Sequence, residues 1–327
     1  MQILVTGGAG FVGSSFVRML LAGSLPGLEG ARVTVLDALT YSGTRTNLSG
    51  FAEHPDLSFV HGDVRDTGLL DRVLPGHDAI VYVAAESHVD RSVRDASVFV
   101  ETNVVGTQRL LDAALRHDVR RVLQVSTDEV YGSIDEGAAD EQHPLQPGSP
   151  YAASKAAGDL LARAYHQTHG LDVRIIRGGN AYGPHQFPEK LIPLFVTNLI
   201  DGLDVPLYGD GQHVRDWLHV DDHSRAMALI LTRGRPGEVY NVGGGTRLTN
   251  RALTDLLLAA TGRDEGAIAH APDRKGHDRR YAVDSGKIER ELGFAAEVPF
   301  EQGLAHVVDW YREHRAWWEP LKERAAL

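Results

Sequence analysis

Apolar residues in the first half of the chain come as short unbroken runs, each followed by a longer stretch in which they recur every three to four positions. The runs at 3–6, 33–37, 58–61, 79–84, 121–126 and 173–177 are rich in Val, Ile and Leu and predict strands buried on both faces. The helical spacing of 11–21, 97–117 and 151–168 predicts helices between them. Repeated strand–helix–strand units make a parallel sheet covered on both sides, so the expected class is α/β, a doubly wound sheet of the Rossmann type. Past residue 180 the alternation loosens. Strands are expected at 206–208, 214–220 and 239–242, and helices at 191–199, 222–231, 249–261 and 300–314. These predict a smaller C-terminal α/β domain that takes the substrate. The expected division puts 1–180 and about 215–240 in the first domain, and about 181–214 and 241–327 in the second.

The first predicted strand runs directly into Gly7-Gly8-Ala9-Gly10-Phe11-Val12-Gly13. Such glycines allow a tight turn, a close approach of backbone to a pyrophosphate, and close packing of the following helix, whose N-terminal amides then face the phosphates. The second predicted strand ends in Asp37. A carboxylate there accepts hydrogen bonds from the adenosine ribose and repels a 2′-phosphate. Ala38 follows it, with no arginine to welcome that phosphate, so the cofactor read from the sequence is NAD.

Chemistry concentrates in Ser126-Thr127-Asp128-Glu129-Val130-Tyr131-Gly132 and in Tyr151 and Lys155. Tyr-x-x-x-Lys puts a phenol and an ammonium one turn apart on a helix face. The ammonium is expected to lower the phenol's pKa and make Tyr151 a base toward a hydroxyl, with the Thr127 hydroxyl sharing the proton. Asp128 and Glu129 add two carboxyl groups that a simple alcohol oxidation does not need. Together they suggest oxidation coupled to elimination.

Bulk composition narrows the classes. The chain has 327 residues, 43% hydrophobic and 24% charged, which fits an ordered soluble protein of about two domains. A net charge of −11 argues against nucleic acid or an anionic membrane as the main partner. The absence of cysteine removes disulfides, thiolate chemistry and Cys-type zinc sites. The sixteen histidines are scattered along the chain, so no metal is expected. The first core strand begins directly after Met1 and no apolar run is long enough to span a bilayer, so neither a signal peptide nor a membrane span is expected and the location is read as cytoplasmic.

Taken together these motifs resemble the extended short-chain dehydrogenase/reductase family, and within it the dTDP-glucose 4,6-dehydratases. The resemblance runs nearly end to end. It includes the glycine loop, Asp37-Ala38-Leu39-Thr40-Tyr41, the segments 84–91, 126–132, 151–155 and 187–193, Asn180, Arg215-Asp216-Trp217 and the segment 273–280. It implies that NAD is lined by Gly7, Gly10, Phe11, Val12 and Gly13, by Asp37, Ala38, Leu39 and Thr40, by Asp63 and Val64, and by Val83, Ala84, Ala85, Ser87 and Thr102, with Tyr151 and Lys155 beside it. It also implies that dTDP-glucose is held by Ser87, Asn180, Lys190 and Leu191, by Pro206, Leu207 and Tyr208, by Arg215 and Asn250, and by Asp273, Arg274, Lys275, Gly276 and His277, with Thr127, Asp128 and Glu129 at the sugar. The implied reaction begins with oxidation at C4, where Tyr151 takes the hydroxyl proton. Glu129 then removes the C5 proton, Asp128 protonates the departing C6 hydroxyl, and hydride returns to C6.

Related 4-epimerases carry non-acidic residues at the positions of Asp128 and Glu129, and UDP-glucuronate decarboxylases and GDP-mannose dehydratases typically have a hydroxyl residue in place of the aspartate. Those enzymes, acting on UDP- or GDP-sugars, are the alternative reading; a catalytically dead dinucleotide sensor is another. The chain departs from the family at Ala38, Ala181 and Gly178-Gly179. Arg279 and Arg280 are read as surface or interdomain salt bridges, Trp310, Trp317 and Trp318 as packing for the last helix, and His88 is left open. A second apolar stripe on the helices at 97–117 and 151–168 (Val98, Val104, Val105 and Leu111; Ala157, Leu160, Leu161 and Ala164) predicts a homodimer through a four-helix contact.

Overall fold

Strands that are apolar on both faces need helices on both, and that requirement organises the first half of the chain. The computed structural model describes residues 1–325. The chain begins β1 (Gln2–Thr6), α1 (Phe11–Leu21), β2 (Arg32–Asp37), β3 (Leu57–His61), α2 (Thr67–Val73) and β4 (Ala79–Tyr82). It continues through α3 (Val89–Arg94), α4 (Ser97–Val100), α5 (Gly106–Arg116), β5 (Arg121–Thr127), α6 (Pro150–His169) and β6 (Val173–Gly178). The second half contains β7 (Asn180–Tyr182), α7 (Leu191–Ile200), β8 (Val205–Tyr208), β9 (Val214–His219), α8 (Val220–Arg233), β10 (Val239–Val242) and β11 (Thr246–Thr249). It ends with α9 (Asn250–Thr261), β12 (Ile268–Ala271), α10 (Gly286–Leu292), α11 (Phe300–Glu313) and α12 (Arg315–Ala325).

Seven strands form one sheet in the order β10-β6-β5-β4-β1-β2-β3, with every neighbouring pair parallel. The strand order reverses between β1 and β4, the crevice at which sheets of this kind bind ligands. On one face Phe16 and Val17 of α1 pack with Met227, Ile230 and Leu231 of α8 over Ile3, Val5 and Leu123. On the other, Leu110 and Leu111 of α5 and Ala162 of α6 cover Leu4, Ile80 and Val122. A separate apolar core joins α7, α9, α11 and α12 through Phe195, Val196, Leu253, Leu257, Val307 and Trp318. Small sheets β11-β9-β7 and β12-β8 lie with this second part.

Three sequence expectations change. The strand expected at 79–84 stops at Tyr82, which frees 83–87 as a loop at the crevice. The helix expected at 97–117 is interrupted by a widened π turn, Glu101–Val105. That turn lets Asn103 accept a hydrogen bond from the Glu86 amide (2.9 Å) while its own amide donates to the Glu86 carbonyl (2.9 Å) and to Ser154 Oγ of α6 (2.9 Å). Such bulges recur at functional sites because they re-aim one side chain. The run 214–220 ends at His219 and joins the small antiparallel pair with β11, outside the main sheet. The C-terminal tryptophans pack as expected, and Trp317 also donates to Asn47 Oδ1 (3.1 Å) beside the glycine loop. Arg279 pairs with Asp210 (2.7 Å), while Arg280 donates to the carbonyls of Ile134 (2.7 Å) and Gly137 (2.9 Å).

Candidate active site

The loop after β1 is shaped for close backbone approach. Gly7 has φ +68°, and a Cβ there would lie 2.7 Å from the Ala84 backbone; one on Gly13 would run into the Gly7 carbonyl. The N-cap of α1 is Gly10, with no side chain bonded to the first-turn amides, so those donors face the cleft. Asp37 closes β2 and shapes the next wall: Oδ2 accepts from the Ala9 amide and Oδ1 from the Leu39 amide, both at 2.8 Å. Each oxygen keeps a second lone pair for a ribose.

This cavity is lined by Gly7, Gly10, Phe11, Val12 and Gly13, then by Asp37, Ala38, Thr40, Asp63 and Val64. Val83, Ala84, Ala85, Ser87 and Thr102 form its side, and Tyr151 and Lys155 its inner end. Leu39 is the exception. It adopts φ +49° and does not line the wall. The backbone cradle, the donors at the helix start and the carboxylate of Asp37 fit NAD; Arg65, in the same lining, is committed to Asp63 (2.7 Å) and Glu101 (2.7 Å).

β5 delivers the reactive cluster. Thr127 ends the strand and caps the short turn Asp128–Tyr131: its Oγ1 accepts from the Glu129 amide (3.2 Å) and donates to Asp128 Oδ1 (3.3 Å). α6 starts with Ser149 as cap and Pro150 in its first turn, which fixes Tyr151 and Lys155 at the helix entrance facing the same space. Asp128 is 3% exposed and its Oδ2 has no partner. Burial, then the Glu129 charge, holds its pKa well above the ordinary carboxylate value. Burial also raises Glu129, but Arg274, Arg215 and Lys190 pull it back. Burial and the neighbouring charge therefore favour the protonated form of Asp128 more than that of Glu129, which three cations face.

The phenol differs from the sequence expectation. Tyr151 is raised above its ordinary value, first by burial and then by the Glu129 charge, with Thr127 acting to lower it. Lys155 donates to the Val125 carbonyl (2.6 Å), and burial brings its amine down to about 8. The ammonium is directed at backbone, so it does not by itself make Tyr151 acidic.

Beyond Glu129 the space continues into a second cavity that shares Ser87, Asn180 and Lys190 with the first. Leu191, Pro206, Tyr208, Arg215, Asn250, Arg274 and His277 line it. Arg215 lies over the Tyr281 ring (4.2 Å), and Lys190 Nζ donates to the Ser87 carbonyl (2.7 Å). Four expected substrate residues do not form this wall. Leu207 alternates to the far side of β8 and is 2% exposed. Asp273 turns away to bond His277 Nδ1 (2.7 Å), and Lys275 and Gly276 form an exposed turn with Gly276 at φ +63°.

The structure adds residues that the sequence reading passed over. Tyr281 donates to Asp278 Oδ2 (2.8 Å) and Glu129 Oε2 (3.4 Å); its position directly after Arg279 and Arg280 in a quoted motif was the available signal. Glu189, neighbour of Lys190, lines both cavities and faces Arg91 (3.4 Å) and His88 (3.8 Å). His88 caps α3 and lines the second cavity; burial, then Lys190 and Arg91, pushes it down to about 3, so it is neutral. His213 and His277 stack at 3.6 Å around Asp273, a cluster hidden in the sequence by the 59 residues between His213 and Asp273. Burial lowers both rings, and stacked rings direct their lone pairs side by side, which suits a neutral wall better than a chelate.

Residues 4–307 match the family described as GDP-mannose 4,6 dehydratase. A dTDP-glucose 4,6-dehydratase of Streptomyces niveus is 59% identical over 322 residues, covering 98% of this chain and 96% of the relative. The crystal structure of DesIV, a dTDP-glucose 4,6-dehydratase of Streptomyces venezuelae with NAD and dTDP bound, has a TM-score of 0.97 at 63% identity and covers 98% of this chain and 100% of its own. A UDP-glucose 4-epimerase of Thermus thermophilus in complex with NAD is 34% identical with a TM-score of 0.87, over 96% and 100% of the two chains.

Proposed function

The chain belongs to the GDP-mannose 4,6-dehydratase family within the extended short-chain dehydrogenases/reductases, and from that premise we infer that it is an NAD-dependent dTDP-glucose 4,6-dehydratase, a hydro-lyase that forms dTDP-4-keto-6-deoxyglucose. The observation that carries the reading is the Asp128–Glu129 pair, in which Asp128 lies buried in the first cavity with an unpartnered Oδ2 and Glu129 lines both cavities. An epimerase needs neither.

In this reading the glycine loop, Asp37 and the 83–87 loop hold the cofactor, and Arg215, Arg274 and Lys190 face the diphosphate, for which a guanidinium fork is well matched. Bound NAD supplies the hydride acceptor at C4 and the donor at C6, recycles within one turnover, and adds the positive field that Lys155 alone does not give the phenol. Tyr151, assisted by Thr127, takes the C4 hydroxyl proton. The ketone so formed acidifies C5–H, and Glu129 removes that proton. Asp128 gives its proton to the C6 oxygen, the C6–O bond breaks, and water leaves. A proton then returns to C5 as hydride arrives at C6, so the net change is loss of one water. Tyr281, bonded to Glu129, positions that base.

Assembly belongs to the same proposal. Leu111 and Leu161 go to the sheet, while Val93, Val98, Val100 and Leu160 stay exposed on α3, α4 and α6 (Leu160 at 56%), an apolar face suited to a two-fold copy. A single-protomer mass in sedimentation at micromolar concentration would sink it. The division into a cofactor part and a nucleotide-sugar part at the boundaries given above, and a cytoplasmic location, complete the reading; among the described residues no helix is long and apolar enough to cross a membrane.

The test is product mass from purified protein offered dTDP-, UDP- and GDP-glucose. Loss of water from the dTDP-sugar in preference to the others is expected. Preferential conversion of a UDP- or GDP-sugar, or epimerisation without loss of water, overturns the reading.

A further inference from the structure

His223 sits in the third position after the start of α8, is 3% exposed, and lines the cofactor cavity beside Gly178, the sheet partner of Thr127. Its Nδ1 has no hydrogen-bond partner. Its other edge abuts the end of β6: a Cβ on Gly178 would fall 2.6 Å from Nε2 and 2.9 Å from Cδ2. The lack of a side chain at 178 is what leaves room for the imidazole edge in the cavity floor. Burial alone pushes the ring down to about 4, so at neutral pH it is uncharged and offers one donor and one acceptor. Ser126 Oγ and Asn180 Oδ1, in the same wall, are likewise unpartnered. Native proteins rarely leave several such groups unsatisfied at one place unless a ligand completes them.

The phosphate cradle at Gly7–Gly13 and the ribose site at Asp37 lie at the other end of this cavity, so the end near His223 receives the nicotinamide. We propose that His223 is a further cofactor-binding residue, and that its imidazole hydrogen-bonds the nicotinamide carboxamide and so sets which face of the ring turns toward Tyr151. The carboxamide carries both a donor and an acceptor and matches a neutral imidazole; it matches an imidazolium, which has no acceptor, less well. The proposal rests on NAD being the cofactor and is independent of which sugar is converted.

The test is a double cycle on protein stripped of cofactor. Calorimetry measures binding of NAD and of the analogue in which hydrogen replaces the carboxamide, first to the natural protein and then to His223→Leu. The natural protein is expected to prefer NAD by about tenfold beyond what the variant does, the scale of one buried hydrogen bond. His223→Gln, which keeps a donor and an acceptor, is expected to retain most of the preference. If the leucine variant does not fold, His223→Phe fills the space without a polar atom and is read the same way. Equal discrimination between NAD and the analogue with and without the imidazole would overturn the proposal, whatever the product assay shows.

Discussion

At the cofactor end of the cleft, residues 7–13, 37–40 and 83–87 each arrive as one contiguous loop at the end of a parallel strand, and much of the wall is backbone. At the substrate end, Glu129, Lys190, Arg215, Arg274 and Tyr281 arrive from separate segments and oppose one another as buried or half-buried ionisable groups. The first end recognises a shape, for which glycine and helix-start amides suffice. The second holds charges whose desolvation cost is offset only in part by each other, and it gains most when a dianionic ligand completes the set. Binding at the two ends should therefore respond to different substitutions.

The largest expected effect lies at the junction. Glu129→Gln and Asp128→Asn should each lower product formation by about 10²–10⁴-fold, the usual cost of losing a placed acid or base, without moving NAD affinity. The two should also stall differently. Glu129→Gln accumulates reduced cofactor, seen by absorbance, and suppresses C5 exchange with deuterated solvent; Asp128→Asn keeps that exchange. Near-normal 4-keto-6-deoxy product from both variants would remove these residues from the mechanism.

Next comes Arg215→Leu, which deletes a buried guanidinium at the charged end. dTDP should bind about 10–100-fold more weakly by calorimetry, the range for charge-assisted hydrogen bonds, while NAD is held as before. A parallel fall in NAD affinity would show that the two ends are coupled.

Asp37→Ala makes the converse change. It removes the acceptor of the Ala9 and Leu39 amides, so the loop loses its shape along with the ribose contact. NAD should weaken by about tenfold, consistent with one or two hydrogen bonds, and dTDP should not respond.

The smallest effect is one of stability. Asp128 has a folded pKa raised above its unfolded value, so its contribution is full below the unfolded pKa and is lost as pH rises through the folded one. Asp128→Asn avoids that loss, and at neutral pH its Tm should rise by about 1–3 °C, with the gain disappearing in acid. A lower Tm at neutral pH would mean that the carboxyl makes a stabilising contact that its unpartnered Oδ2 does not reveal.

The contrast between the ends also explains what could be read from the chain. The glycine loop, Asp37, the Tyr151–Lys155 pair and Asp128–Glu129 are local patterns, with residue type and spacing tied to a strand end or a helix start. The resemblance carries Pro206, Leu207 and Tyr208 together, whereas strand alternation turns Leu207 away from the cavity that its two neighbours line. Asp273, Lys275 and Gly276 lie outside the lining because a resemblance carries whole segments, while a turn brings only some of its side chains to the cavity. Tyr281, Glu189 and the His213–Asp273–His277 cluster depend on contacts between distant segments, for which the sequence holds no periodic signal.

By itself the sequence determined the parallel sheet, the glycine loop at its first strand end and the presence of two acids beside a phenol, because each follows from short-range spacing and hydrophobic period. Tertiary structure alone decided the protonation of those groups. Burial raises Tyr151 and Asp128, a backbone carbonyl takes the Lys155 ammonium, and three cations from separate segments hold Glu129 in check. A pKa depends on what lies within a few ångströms in every direction, and most of those neighbours are remote along the chain.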